Sequence, residues 1–132
     1  MLVGDNVADP TGEEQKTKIR ARRSATTTRL ICIENDGDEL DSFVLRGTGG
    51  SGDFGVRYFA GHIDITEAVV AGTYRVVDML PRAGAQRFVR MKLWAGPRAR
   101  SGAMREFVVG VRSEANPAKE DVAKVKLTVT TR

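Results

Sequence analysis

Apolar residues recur at every second position in short segments along most of the chain, and this alternation constrains the fold more than any other feature. It is clearest in residues 54–58, 89–93 and 107–111. Because successive side chains of a β-strand point to opposite faces, each segment is predicted to be a strand with one buried face. No segment repeats its apolar residues every 3.6 positions over three turns, so the sequence predicts an all-β fold.

Turn-forming residues separate the alternating segments. Asn, Asp and Gly follow one another at 35–38, glycines dominate 47–52, and proline and glycine mark 81–84 and 96–97. These residues adopt the backbone conformations that tight turns need. About seven to eight short strands punctuated by turns predict an immunoglobulin-like antiparallel β-sandwich. One helical turn is expected at residues 66–70, with Thr66 as its N-cap.

The length of 132 residues corresponds to one domain. We assign residues 15–132 to the sandwich and residues 1–14 to an N-terminal arm or an extension of the first strand. In the first predicted strand, Lys16, Lys18, Arg20 and Arg22 share one face, and such a row of cations suits the edge of a sheet. The sequence leaves open whether residues 1–14 pack on their own domain or on a neighbouring molecule.

The net charge of +4 conceals an uneven distribution. Residues 34–67 carry eight acidic and two basic residues, whereas residues 86–112 carry seven basic residues and one acidic residue. Residues 13–29 add six basic residues to two acidic ones. If these segments lie on opposite parts of the surface, copies of the chain attract one another end to end. The alternative is that they are solvated faces without a partner.

Cys32 and His62 are the single cysteine and the single histidine, so neither an internal disulfide nor a zinc site built from several such ligands is expected. No apolar stretch approaches the length of about 20 residues that a membrane helix needs. Only Phe88 and Trp94 are interleaved with basic residues, whereas a nucleic-acid groove combines several aromatic and basic side chains. The sequence therefore predicts no cofactor, no membrane insertion and no nucleic-acid partner.

Two loops contain residue types that bind ligands in other proteins. Asp36, Asp38 and Asp41 offer carboxylate oxygens for a weak calcium site, but their spacing is not that of an EF-hand, and turn formation alone explains Asn and Asp here. These three residues are equally a candidate acidic pole for a protein contact. The glycine-rich residues 47–52 lack the Gly-Lys-Ser/Thr sequence and the following helix of a phosphate-binding loop.

The candidate residues for catalysis are His62, Asp64 and Thr66, which share one face if their segment is extended. Cys32 is a candidate nucleophile. Catalysis also needs a base within hydrogen-bonding reach of an activated nucleophile, and no residue near Cys32 in the sequence lowers its pKa. We therefore predict that the protein is not an enzyme.

The outward face of the strand at residues 88–94 is the most informative surface. If positions 89, 91 and 93 face the core, the outward residues are Phe88, Arg90, Lys92 and Trp94. Exposed aromatic side chains beside Arg and Lys are typical of protein interfaces. The alternative is that a loop folds over them and makes them a small second core. By the same alternation, Leu30 and Cys32 face away from the core.

Several turn and core motifs occur in a recognisable order. They are Asn-Asp-Gly at 35–37, Asp-Ser-Phe at 41–43, the stretches 56–61, 64–74 and 80–84, a valine-rich strand at 121–129, and residues 4–7 near the start. This order resembles bacterial immunoglobulin-like repeats, the CARDB-like modules of large surface and secreted proteins. The resemblance implies a sandwich fold and a role as a non-catalytic spacer or interaction module.

We expect a structural, protein-interaction module that occupies repeated positions in a larger assembly, as a phage particle decoration or within a bacterial surface array. Met1-Leu2-Val3 is followed at once by Gly4-Asp5-Asn6, which is not a signal peptide. This favours the virion if Met1 is the natural start, and the cell surface otherwise. The alternative is a carbohydrate-binding or adhesion module of a secreted protein, since exposed aromatic residues on a sandwich stack on sugar rings.

Overall fold

Two five-stranded β-sheets face each other in the computed structural model, which describes residues 2–3, 16–35, 37–81 and 86–130. Their strands and helix, in chain order, are β1 (Leu2–Val3), β2 (Lys16–Ala21), β3 (Thr26–Glu34), β4 (Asp41–Gly47), β5 (Phe54–Ala60), β6 (Ile63–Asp64), α1 (Thr66–Ala71), β7 (Tyr74–Met79), β8 (Gln86–Ala95), β9 (Met104–Ser113) and β10 (Glu120–Val129). The predicted all-β sandwich is confirmed: eight of these strands have six or more residues, and two have only two.

The first sheet has the strand order β1-β3-β8-β5-β6, and the second has the order β2-β10-β9-β4-β7. Neighbouring strands are antiparallel except in the pairs β1–β3 and β2–β10. Strand β2 lies at the edge of the second sheet, as its row of cations predicts. In β1, Leu2 and Val3 pair with Cys32 and Ile33 of the same chain. This part of the N-terminal arm therefore lies on its own domain, and the remainder of residues 1–14 lies outside the described residues.

The core lies between the sheets and is built mainly from the alternate strand residues that the sequence pattern predicts to be buried. Tyr58 of β5 is the largest fully buried side chain, and its hydroxyl donates a hydrogen bond to the carbonyl oxygen of Thr48 at 2.9 Å. Burial raises the pKa of Tyr58, because the phenolate would lose its hydration. Burying a large apolar side chain stabilises the fold by roughly 1.5–3 kcal/mol. Those fully buried here include Ile31, Ile33, Leu45, Met91, Leu93, Phe107 and Leu127.

The start of α1 differs from the prediction. Its N-cap is Ile65 rather than Thr66, and no side chain caps the helix. The Thr66 hydroxyl instead accepts a hydrogen bond from the Tyr58 N–H at 2.9 Å and donates one to Asp64 at 2.5 Å. The N-cap prediction is therefore wrong, because this hydroxyl is occupied by β5 and by the residue that ends β6.

The helix α1 covers one side of the sandwich, where the chain passes from β6 of the first sheet to β7 of the second. Val69 of α1 is fully buried in the core. The helix ends at Gly72, whose φ of 74° is favoured by glycine. None of the helical segments in the described ranges has the length and apolar character needed to cross a membrane.

The loops gather at the two ends of the sandwich. One end carries the β3–β4 and β9–β10 loops, and the other carries the β2–β3, β4–β5 and β8–β9 loops. Buried Asn35 holds the β3–β4 loop against β7, because its side-chain amide donates to the carbonyl oxygens of Glu39 at 2.8 Å and Met79 at 3.0 Å. Asp36 of this predicted turn, and residues 82–84 of the predicted turn at 81–84, lie outside the described residues.

Candidate interaction face

The outside of the first sheet brings together side chains from three strands. We call this surface the outer face and define it by Leu30, Cys32, Arg57, Phe59, Phe88, Arg90, Lys92 and Trp94. The strand register sets its rows: Arg90 lies between Leu30 and Phe59, and Lys92 lies between Thr28 and Arg57. Side chains in one row are direct neighbours across the strands.

The four β8 residues predicted for a contact all lie on the outer face. The buried residues of this strand occupy positions 89, 91, 93 and 95, so the alternation places Phe88, Arg90, Lys92 and Trp94 on the other side. Phe88 is 50% exposed, and Leu30 in the neighbouring strand is 47% exposed. The outer face therefore presents two large apolar side chains to solvent beside Arg90.

Phe59 orders the two cations of the outer face. The guanidinium of Arg90 lies 5.5 Å from the centroid of the Phe59 ring, and the ammonium of Lys92 lies 5.2 Å from it. Both distances are within the range of cation–π attraction. Arg90 also donates a hydrogen bond through Nη2 to the carbonyl oxygen of Gly61 at 2.6 Å. A partner that binds Arg90 therefore meets a side chain that has already lost part of its conformational freedom.

Trp94 differs from Phe88 because it lies over its own sheet. A Cβ atom added to Gly55, its neighbour in β5, would lie 2.2 Å from Cε2 and Cζ2 of the indole. Trp94 is half-buried, and it lines a shallow depression with Pro97 and Thr26. The sequence leaves open whether these side chains are exposed or covered. Phe88 is exposed, whereas Trp94 is partly covered.

Asp64 forms a small polar cluster at the edge of the outer face. Its carboxylate accepts hydrogen bonds from the Thr66 hydroxyl and from the Thr66 N–H at 2.9 Å, and it pairs with Arg57 at 3.0 Å. The hydrogen bonds from Thr66, and then the contact with Arg57, lower the pKa of Asp64. The carboxylate is thus stabilised as an anion. Its partners connect the end of β6 to the start of α1 and to β5.

The candidate catalytic residues lie in different surroundings. His62 is exposed in the turn before β6, whereas Thr66 begins a helix, so His62, Asp64 and Thr66 do not continue along one strand. Cys32 is half-buried on β3, where burial first and the nearby Glu34 carboxylate second raise the pKa of its thiol. A raised pKa disfavours the nucleophilic thiolate.

The acidic turn is held by hydrogen bonds of Asp41. One oxygen of its carboxylate accepts from the N–H groups of Ser42 at 2.7 Å and Ala115 at 3.1 Å, and the other accepts from the Ser113 hydroxyl. Asp41 therefore fixes the β9–β10 loop to the start of β4, while Asp38 is exposed. Across the described ranges, no group of three or more His, Cys, Asp or Glu side chains is arranged to hold a metal ion.

Phe59 and Arg57 also lie on the outer face, although they are not among the residues predicted for a contact. The signal was present, because Val56 and Tyr58 are inward residues of the same strand, and the residues between and after them must point outwards. The cation–π contacts of Phe59 depend on the register of β5 against β8. Alternation within one strand does not contain that information.

No protein-family model matches this chain, and no curated protein matches it either. Among solved structures, it is similar to part of a Bacteroides ovatus GH5 xyloglucanase in complex with a XXXG heptasaccharide, with a TM-score of 0.48 and 11% identity over 89% of this chain. It is also similar to part of the Vibrio cholerae VesB protease, with a TM-score of 0.45 and 12% identity over 87% of this chain. The chain spans only 18% and 30% of those two chains.

Proposed function

We propose that the protein is a non-catalytic structural module that binds another protein through its outer face. It would thereby occupy repeated positions in a larger assembly, such as a phage particle or a bacterial surface array. The observation that carries this proposal is the position of two exposed apolar side chains, Phe88 and Leu30, beside the ordered Arg90. Aromatic residues and arginine are enriched at the centres of protein interfaces, where they contribute most of the binding energy.

The charge of the outer face indicates the chemistry of the partner. Arg90 and Lys92 both lie over the Phe59 ring, which leaves their positive charges without a carboxylate in those contacts. Arg57, in contrast, is paired with Asp64. We therefore expect a partner surface that combines apolar side chains with carboxylates placed to meet Arg90 and Lys92.

A carbohydrate-binding role would need aromatic rings whose faces are open to a sugar. Three aromatic residues lie on the outer face, but Phe59 is covered by two cations, which leaves Phe88 and Trp94, six positions apart on β8. Phe88 is the ring with half of its surface in solvent. This arrangement favours a protein partner over a row of stacked sugar rings.

Photo-cross-linking in cells of the source organism tests the proposal. Benzoylphenylalanine replaces Phe88 in one variant and Val77, an exposed residue of β7 in the second sheet, in a matched control. We expect discrete cross-linked products, identified by mass spectrometry, from position 88 and none from position 77. Adding Arg90→Glu to the first variant should abolish them, because it places a negative charge where we expect carboxylates of the partner.

Two results would contradict the proposal. Products from position 77 but not from position 88 would place the contact elsewhere on the molecule. Binding to a glycan array that is lost in Trp94→Ala would instead support the carbohydrate-binding alternative. A cross-linked protein that is present in many copies in a purified particle or surface layer would support the repeated position that we propose.

A further inference from the structure

We infer that copies of this chain associate head to tail, with an acidic end of one copy against a basic end of the next. The inference rests on the proposed structural role and names one partner for it, a second copy of this chain. It uses the two loop-bearing ends of the sandwich rather than the outer face. It is carried by the opposite charges of those ends and by exposed apolar residues at one of them.

The acidic end is defined by five exposed residues: Asp38, Glu39, Leu40, Asp78 and Leu80. Leu40 directly precedes Asp41 and Leu80 directly follows Met79, and because Asp41 and Met79 pair between antiparallel β4 and β7, the two leucines are neighbours. They are 53% and 55% exposed. Among the described residues of the loops at this end, which are 35, 37–40, 80–81 and 114–119, the one basic residue is Lys119. This end thus combines negative charge with an exposed apolar pair.

The basic end is defined by five exposed residues of two loops: Arg22, Arg23, Pro97, Arg98 and Arg100. The two loops are tied together, because the Ser24 N–H donates to the carbonyl oxygen of Ala95 at 2.7 Å and Nε of Arg23 donates to that of Ala99 at 2.5 Å. In the loops 22–25, 48–53 and 96–103, the one acidic residue is Asp53. The positive charges are therefore concentrated on a surface that its own hydrogen bonds hold in place.

The length of the strands keeps the two ends apart within one molecule. Strands β8, β9 and β10 each have ten residues, which corresponds to about 33 Å at roughly 3.3 Å per residue. Charges in water at physiological ionic strength are screened over about 8 Å. The ends therefore cannot neutralise each other in one copy, and they can meet only between copies. Because the contact joins two different surfaces at opposite ends, it propagates as an open chain.

The chemistry of the two ends is complementary beyond charge. Leu40 and Leu80 match the ring of Pro97 and the aliphatic parts of Arg98 and Arg100, since arginine covers apolar surface with its methylene groups while its guanidinium binds a carboxylate. Glu39 directly precedes Leu40, and Asp78 lies two residues before Leu80. This contact would hide the two exposed leucines and pair the charges around them.

Sedimentation velocity of the full chain over a concentration series tests the inference. It is measured at about 25 mM and about 500 mM NaCl, because the distance over which charges are screened differs severalfold between them. We expect association at low salt and an association constant at least tenfold weaker at high salt. Arg98→Glu/Arg100→Glu makes both ends acidic, and Asp38→Lys/Glu39→Lys makes both ends basic. Each double variant alone should be monomeric. Asp78 is left unchanged because its φ of 53° favours Asp.

Mixing the two double variants in equal amounts provides the decisive arm, because a native acidic end then faces a native basic end. We expect the two variants to form a heterodimer through this one contact, with an association constant within threefold of that of a single wild-type contact. The matched control is Lys18→Glu/Lys126→Glu, which changes the net charge as much as Arg98→Glu/Arg100→Glu but on neighbouring cations of β2 and β10. The control should associate like the wild type, and thermal melting verifies that all variants are folded.

A monomer at every salt and concentration would overturn the inference, as would association that the control abolishes to the same extent as the end variants. Loss of association in the outer-face variant Phe88→Ser/Arg90→Glu, with both end variants still associating, would overturn it too. That result would leave the proposed function standing, because it would place the self-contact on the outer face. A monomeric wild type that still cross-links through position 88 would separate the two proposals in the same way.

Discussion

The outsides of the two sheets arrange their charges in different ways. On the second sheet and its loops, two arginines are paired with carboxylates: Arg46 pairs with Glu120 at 2.9 Å, and Arg75 pairs with Glu114 at 2.6 Å. On the outer face of the first sheet, Arg90 and Lys92 lie over an aromatic ring instead, and large apolar side chains beside them are exposed. Arg46 and Arg75 are therefore held by carboxylates on one sheet, whereas Arg90 and Lys92 are held by an aromatic ring on the other.

If the protein binds a partner as proposed, this difference favours the outer face as the side that binds it. A partner of the second sheet would have to compete with ion pairs such as that of Arg46 with Glu120, or leave them intact and gain little from them. A partner of the outer face can provide the carboxylates that Arg90 and Lys92 lack in their contacts with Phe59, and it can cover Phe88 and Leu30. Changes at matched positions on the two sheets test this contrast.

The largest effect is expected from adding one methyl group to each sheet. Gly55→Ala places a Cβ 2.2 Å from the Trp94 indole, whereas at Gly110 the nearest atom to a Cβ would be Nε of Arg46 at 3.4 Å. We expect Gly55→Ala to lower the free energy of unfolding by about 1–3 kcal/mol through overpacking. Gly110→Ala should change it by less than about 0.5 kcal/mol. Urea unfolding followed by circular dichroism measures both.

A second variant isolates the cause. In a Trp94→Ala background the indole is gone, so Gly55→Ala should cost less than half of what it costs in the wild type. An undiminished cost would mean that Gly55 is required for its backbone rather than for the ring above it.

The contact between Gly55 and Trp94 also illustrates what the sequence could not predict. The alternation of β8 correctly predicts that Trp94 points away from the core, because it depends only on neighbouring residues of one strand. The position of the indole over Gly55 depends on the pairing of β5 with β8, and those strands are far apart in the chain. Local patterns therefore predicted the faces of the strands, while the contacts across them required the structure.

The start of α1 is a second case in which a contact between elements decides what a local pattern cannot. A threonine before an apolar run predicts an N-cap, but Tyr58 in β5 offers Thr66 a backbone N–H eight residues away. Satisfying that N–H is worth more to the fold than one helical N–H of a six-residue helix exposed at its start, since an unpaired N–H near the core is costly. The all-β class was predictable because many strands repeat the same signal, whereas a single cap has no such redundancy.

The second effect in size concerns the ring that carries the cations of the outer face. Phe59→Leu keeps an apolar side chain but removes the π-system below Arg90 and Lys92. We expect a loss of about 1 kcal/mol in the free energy of unfolding. In an Arg90→Gln/Lys92→Gln background the same change should cost markedly less, and an equal cost in both backgrounds would show that the ring contributes through packing alone.

An ion pair of the second sheet should contribute less. Arg46 donates two hydrogen bonds to the Glu120 carboxylate, through Nε at 3.1 Å and Nη2 at 3.0 Å, but Arg46 is exposed. A double-mutant cycle of Arg46→Ala and Glu120→Ala should give a coupling free energy of about 0.2–1 kcal/mol. The coupling should fall when NaCl is raised, because the pair is screened. Coupling that is independent of salt would contradict the surface character of this pair.

The smallest expected effects are on the pKa values of two carboxylates, Asp64 and Glu114. Both values are lowered, but by different causes. Hydrogen bonds from Thr66 are the main cause for Asp64, with Arg57 contributing less, whereas the hydrogen bond from Arg75 is the main cause for Glu114. In both cases the folded pKa lies below the unfolded one. The resulting stability is present above the ordinary pKa and is lost as the pH falls through the lowered folded value.

Carboxyl NMR titration of single variants measures this difference. Arg75→Ala should return the pKa of Glu114 most of the way to its ordinary value, because it removes the main cause. Arg57→Ala should leave the pKa of Asp64 clearly lowered, and Thr66→Val should raise it further than Arg57→Ala does. If Arg57→Ala had the larger effect, the charge at the edge of the outer face would be neutralised by an ion pair as on the second sheet. The contrast between the two sheets would then be limited to Arg90 and Lys92.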